Sequence, residues 1–247
     1  MSNDAAAARG RTGSQTSIWQ TIYNSFMKSV GDVVFGMEDG TVSIFGLVFG
    51  LAVSANSSKA VLLAGATGAA AAAVSMMAGA YLDVESRRSI AQAAIEQERK
   101  EIKQHPQKEA AEVIRRLIQN GVKQQEAQSI VKVLRNHPDV MLEVESAFEL
   151  QTGGAIGENP YAHAVWMLLA DLIAASIPVI PFAFLAVSPA RIVSVIITAL
   201  LLLAVGIGRG IVSHRNIWFT AFETLGVAAA AAAAGVLIGK LITVVAG

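Results

Sequence analysis

Apolar and polar positions alternate along this chain in blocks, and the blocks are long. Five stretches, at about 31–53, 60–82, 162–187, 189–207 and 217–245, are almost wholly apolar. A helix needs ~20 such residues to cross a bilayer, so each predicts a transmembrane helix. A short polar turn at 54–58 joins the first two, and the fifth is built largely of small residues, including the run 227–235. Small surfaces let helix backbones approach closely. Between the second and third blocks the pattern becomes amphipathic at helical spacing, as with Ile114, Leu117 and Ile118, or Ile130, Val133 and Leu134. Breaks at His105-Pro106, Gly121, His137-Pro138 and Gly153-Gly154 divide this insert into four helices, at about 83–104, 106–120, 123–136 and 139–151. Ahead of the first block, 18–27 reads as an amphipathic helix in the membrane interface, with Trp19 and Tyr23 near the headgroups.

The expected fold class is all-α: a polytopic membrane protein with five transmembrane helices and a small cytosolic helical domain inserted between spans two and three. The expected divisions are a disordered N-terminus (1–16), an interfacial helix (17–29), spans one and two (30–83), the inserted domain (84–152) and spans three to five (161–247).

Composition agrees with this division. Hydrophobic residues make up 53% of the chain, above the usual share for a soluble domain. The segment 85–149 holds 11 of the 19 acids and 11 of the 19 bases. A formal net charge of zero gives no reason to expect nucleic acid as a partner. The chain has no cysteine, which excludes disulfides and thiolate metal sites. Basic residues flanking the spans favour one side: Arg9, Arg11, Lys28, Arg87, Arg88, Arg209 and Arg215 against Lys59, Arg191 and Lys240. The positive-inside bias therefore puts the N-terminus and the insert in the cytosol.

The chemistry lies in acids. Glu98 and Glu101, Glu109 and Glu112, and Glu145 and Glu149 form three pairs at one-face helical spacing. Like charges so placed repel unless a cation joins them. A solvated charged surface is the competing explanation, and it carries about equal weight on composition alone. It suits Glu96, followed by Lys100, and Glu112, followed by Arg116, whereas Glu98, Glu101 and Glu109 have no base three or four residues later. Carboxylate oxygens suit Mn²⁺ and Fe²⁺. Met141 shares the stripe of Glu145, where its thioether could add a softer ligand, but it reads first as core packing. Within the spans acids are costly and usually functional. Asp39 should lie more than a turn inside the first span, with Asp32 and Glu38 nearer the cytosolic mouth. Asp171 and Glu223 are isolated acids, suited either to carrying protons or to bonding a neighbouring helix. Pro178 and Pro181 should kink the third span, and Arg209, His214 and Arg215 should lie in a cytosolic turn as topology or lipid anchors.

These residues resemble the vacuolar iron transporter family. The resemblance runs from about Asp32 to the C-terminus and rests on 36–41 (GMEDGT), 75–82 (SMMAGAYL) with Ser86, the insert glutamates and 177–181 (IPVIP). It implies a homodimer of five-span protomers that exports Fe²⁺ from the cytosol in exchange for protons. It places Asp39 and Met76 at an intramembrane metal site, and Glu98, Glu101, Glu109, Glu112, Glu145 and Glu149 at the insert ligand positions. Spans one and two run antiparallel about a short turn, so Asp39 and Met76 are expected at similar depth, with Met77 next in register. Lys28 stands where the family often has an acid, Ser146 where a further carboxylate is common, and Glu145 in place of a methionine.

The sequence thus predicts a proton-coupled exporter of Fe²⁺, or of Mn²⁺, with no resident cofactor. The cargo metal, protons, the lipid bilayer and a second copy of the chain are its partners, and Asp32 and Glu38 lie at the entrance of the path. No catalytic serine set, phosphate-cradling loop or nucleotide motif appears, so bond-breaking chemistry is not expected. The Ala-rich spans favour a bacterial inner membrane over a vacuolar one. A membrane metal sensor and a partner-binding membrane protein are the rival readings.

Overall fold

The computed structural model describes residues 18–147 and 157–246. The polar segment 1–16 and residue 17, Glu149, the end of the fourth insert helix and Gly153-Gly154 lie outside the described residues. Among the described residues there are ten helices: α1 (Ile18–Lys28), α2 (Val30–Ser54), α3 (Ser58–Gln104), α4 (Pro106–Gln119), α5 (Gln124–Leu134), α6 (Pro138–Glu145), α7 (Pro160–Val179), α8 (Pro181–Phe184), α9 (Val187–Val212) and α10 (Ile217–Ala246). Among the described residues, five of these are long and apolar enough to cross a membrane: α2, α3, α7, α9 and α10.

Local chemistry sets the ends. α3 continues without interruption from its apolar part into the polar segment and stops before Pro106. Pro106 and Pro138 open α4 and α6, where a missing N–H costs nothing. Gly121 follows α4 with φ of 93°, a backbone conformation that suits glycine. Two sequence expectations need correction. The third span does not run from 162 to 187: α7 ends at Val179, and Pro181 starts the separate short helix α8, after which Leu185 is extended. The cause is the pair of prolines, which remove two backbone donors within four residues. Pro178 stays inside α7, and its carbonyl accepts a 2.8 Å hydrogen bond from the Ser194 hydroxyl on α9. The fourth span is longer than 189–207. It begins at Val187 and reaches Val212, so Arg209 lies within a helix and not in a turn.

Contacts divide the chain into two units: the described residues up to Ala73 with those from Leu168 onward, and Val74–Met167. The first has a core of Ile44, Val48 and Ala52 from α2, Val61 and Ala69 from α3, and Ala175, Val179, Phe182 and Ala190. Helix association in lipid relies on close packing more than on the hydrophobic effect, so small residues set the distance. A Cβ on Gly50 would lie 2.6 Å from the Gly235 carbonyl oxygen of α10, and one on Gly235 would overlap the Gly46 carbonyl. The outer faces of the spans carry exposed apolar side chains such as Leu63, Leu200, Phe222 and Leu241. The second unit is cored by Ile102, Ala110, Val113, Val131, Met141 and Leu142. Burial of such a side chain from water is worth about 1.5–3 kcal/mol, which holds this set of short helices together. α1 presents Ile18, Trp19 and Tyr23 as exposed residues, as an interfacial helix would.

One polar knot ties three spans of the first unit. Arg209 of α9 donates to both carboxylate oxygens of Glu38 on α2, at 2.9 and 3.2 Å, and to Glu223 on α10 at 3.0 Å. The Thr224 hydroxyl donates to Glu38 at 3.1 Å. The position of Arg209 therefore reflects two carboxylate partners, not a lipid anchor.

Two outcomes follow. Gly50→Val should destabilise the first unit by about 1–3 kcal/mol, the range for overpacking. Gly79→Ala, where an added Cβ meets nothing within 4 Å, should not. Melting of the solubilised protein compares them. Arg209→Gln, which strands two carboxylates, should cost roughly 2 kcal/mol, less than the ~3–5 kcal/mol of a fully buried pair because the three side chains are partly exposed. Arg209→Lys should recover part of that loss in the same melting assay.

Candidate metal centre

Glu98 of α3, Glu109 of α4 and Glu145, the last residue of α6, each offer a carboxylate oxygen, and these oxygens lie within 4.8 Å of one another. All three side chains are buried. Two full negative charges at that spacing repel by roughly 3–4 kcal/mol even at an effective dielectric near 20. The arrangement is stable only if positive charge or protons accompany it. Carboxylates from three helices suit a hard or borderline divalent cation.

Of the insert glutamates named from the sequence, Glu98, Glu109 and Glu145 converge, while Glu101 and Glu112 have other partners. Glu101 accepts a 2.9 Å hydrogen bond from the Gln97 amide and lies 3.5 Å from the Lys108 ammonium. The Gln97 hydrogen bond, reinforced by Lys108, holds the Glu101 carboxyl below its usual value. Lys108 also donates to Glu109 at 3.2 Å, and that bond, followed by the Glu109 charge, raises the Lys108 ammonium above its usual value. Glu112 lies 4.0 Å from Arg116 and lines a surface hollow of about 280 Å³ with Arg115 and Asn120. Met141 is buried in the hydrophobic core with Val113 and Val131, as core packing requires.

The sequence signal that separates the three clustered acids from the others is the apolar stripe. Val84, Ala91 and Glu98 follow one another at sevens and are all buried. Glu109 precedes buried Val113 by one turn, and Glu145 follows buried Met141 by one turn. An acid that continues an apolar stripe is carried into the core, whereas an acid three residues away is turned aside. Lys108 escaped the reading along each helix because its partners Glu101 and Glu109 belong to a helix–helix junction, not to a single helical face.

In the first unit, Asp39 is half-buried and lines a cavity of about 490 Å³ together with Glu38, Val42, Arg209 and Val227. Glu38 is held by Arg209, while Asp32 sits in the first turn of α2. Asp171 of α7 is fully buried, and neither carboxylate oxygen has a hydrogen-bond partner. It packs so closely on Gly40 that a Cβ there would overlap its Oδ1. Glu223 bonds a neighbouring helix through Arg209, which resolves one of the two options left open for it. Arg209 lies three residues before the end of α9 and Glu223 six residues after the start of α10, so it is the length of the arginine side chain that bridges the offset between them. Met76 and Met77 are half-buried positions on α3 in the second unit.

Comparison with known proteins agrees with these features. The VIT family profile matches residues 30–240. The chain is 31% identical over 214 residues to "Vacuolar iron transporter 1" of Eucalyptus grandis, with 86% of each chain covered. It is 31% identical over the same length to the protein of that name from Arabidopsis thaliana, again with 86% of each covered. Against "Vacuolar iron transporter" of Centaurea cyanus the identity is 31% over 215 residues, covering 86% of this chain and 88% of the relative. Five apolar helices, acids within them and a buried carboxylate centre thus accompany a match across most of the length, and the chain belongs to the vacuolar iron transporter (VIT) family.

Proposed function

We propose that this membrane protein moves Fe²⁺, or Mn²⁺, out of the cytosol in exchange for protons, as a homodimer, and that its carboxylate centre collects the ion. The observation that carries the reading is the convergence of buried Glu98, Glu109 and Glu145 within 4.8 Å. The centre is formed by the unit at 74–167, proposed to face the cytosol, so its role is to concentrate the ion and not to carry it across. Glu101 and Glu112 flank it as weaker contributors, and Glu149 is proposed as a further ligand.

Within the spans, Asp39 is the proposed cargo ligand. It is a carboxylate on the wall of a cavity whose other acid, Glu38, is already matched by Arg209. Asp32 and Glu38 are proposed to line the entrance. Met76 on α3 is proposed to add a thioether ligand, which favours transition ions over Ca²⁺ and Mg²⁺. When a metal leaves Asp39 in a site of low dielectric, the carboxylate favours its protonated form, so one residue can exchange cargo for a proton. The names of the relatives favour a vacuolar membrane over the bacterial inner membrane read from the Ala-rich spans. The rival reading, a sensor that binds metal without passing it, differs in having no flux.

The deciding experiment is Fe²⁺ and Mn²⁺ uptake into proteoliposomes under an imposed pH gradient, with Zn²⁺ and Ca²⁺ for comparison. Asp39→Asn should abolish gradient-driven flux while calorimetry still detects metal bound at the glutamate centre; full flux in this variant would remove Asp39 from the path. Met76→Ala should lower Fe²⁺ flux more than proton movement. Joint replacement of Glu98 and Glu109 by Gln should remove most metal binding at micromolar concentrations and raise the metal concentration needed for half-maximal flux. Glu112→Gln should change both far less. Equal binding in the double variant and the parent would reject the centre.

A further inference from the structure

Lys108 is placed where it ought not to favour its own helix. It is the third residue of α4, in the first turn, where the helix dipole disfavours a positive charge. Its ammonium nevertheless reaches back to two carboxylates, 3.2 Å from Oε1 of Glu109 and 3.5 Å from Oε2 of Glu101. Glu109 is 3% exposed and one of the three clustered acids, while Lys108 is 63% exposed. The head group therefore touches the edge of the centre, and the rest of the side chain stands in solvent. A flexible four-carbon stem and a compact, strongly hydrated charge let such a group leave without disturbing the core.

We propose that Lys108 is a tethered counter-ion of the carboxylate centre, which neutralises Glu109 and Glu101 when no metal is bound and is displaced into solvent when a divalent cation enters. This rests on the reading that the centre takes divalent metal. An ammonium and a divalent ion compete for the same carboxylate oxygens, so the lysine weakens the centre's affinity. It also gives Glu109 and Glu101 a positive partner while the centre is empty. Removing the competitor strengthens binding, whereas removing a ligand weakens it, so the two kinds of role predict opposite signs. The ion pair is largely exposed on one side, which limits the gain to roughly three- to tenfold.

The test is a titration of the full-length protein in detergent with Mn²⁺ alone, followed by calorimetry, for the parent, Lys108→Gln, Lys108→Arg and Lys132→Gln. Lys132→Gln removes the same charge from an exposed position on α5. Lys108→Gln should bind Mn²⁺ roughly three- to tenfold more tightly, with Lys108→Arg and Lys132→Gln near the parent. Equal tightening by Lys108→Gln and Lys132→Gln would reduce the effect to net charge and overturn the proposal. Unchanged or weaker binding by Lys108→Gln would also overturn it, since Lys108 would then be inert or would organise the ligands. Parent protein that binds Mn²⁺ only through Asp39, recognised by loss of all binding in Asp39→Asn, would overturn the metal reading of the centre itself.

Discussion

The close approach of α2 to α10 is the constraint on which the membrane part of this protein depends. Gly46 and Gly50 face Gly235 with no room for a Cβ between Gly50 and its neighbour. Only at that separation can Glu38 on α2 be bonded by Arg209 and by Thr224, from two different helices. Isolated, Glu38 would be a costly charge in hydrocarbon; enclosed by a guanidinium and a hydroxyl, it is tolerated and leaves Asp39 as the neighbouring acid on the cavity wall. The small-residue surface therefore does more than pack. It makes an acidic helix possible within the bilayer, and the same logic recurs at Gly40, whose missing side chain admits Asp171.

The two units draw on different physics. In the spans, apolar side chains face outward and much of the burial falls on small residues such as Ala52, Ala73, Ala174 and Ala190. In the short helices α4 to α6 the order is that of a water-soluble domain, with Val113, Val131 and Met141 inside and bases such as Lys108, Arg115 and Lys132 outside. The buried glutamates are the exception there, and their burial is what distinguishes them from the other acids of the same segment.

Much of this was legible in the chain. Length and apolarity located the five spans, and proline and glycine located the breaks between the insert helices, because both act locally through the backbone. What failed did so at long range. Hydropathy ends at Ile207, so Arg209 was assigned to a turn; the helix continues past it, and the partners of its side chain come from α2 and α10. Pro181 looked like a kink in a long span, but with Pro178 so near it ends the helix outright. Spacing within one helix paired Glu98 with Glu101 and Glu109 with Glu112, while packing between helices chose Glu98, Glu109 and Glu145. Sequence spacing reports which residues share a face. Which face turns inward is decided by the apolar residues around them.

The carboxylate centre draws its three acids from α3, α4 and α6, with Glu145 at 36 residues from Glu109 and 47 from Glu98. An unfolded chain scatters these groups, so any cation held by all three is held by the folded form alone. Occupancy and folding of the 74–167 unit are then linked by mass action, with stability growing as the logarithm of free ion over its dissociation constant. The abundance of a bound ion would then set how long this part of the protein survives proteolysis.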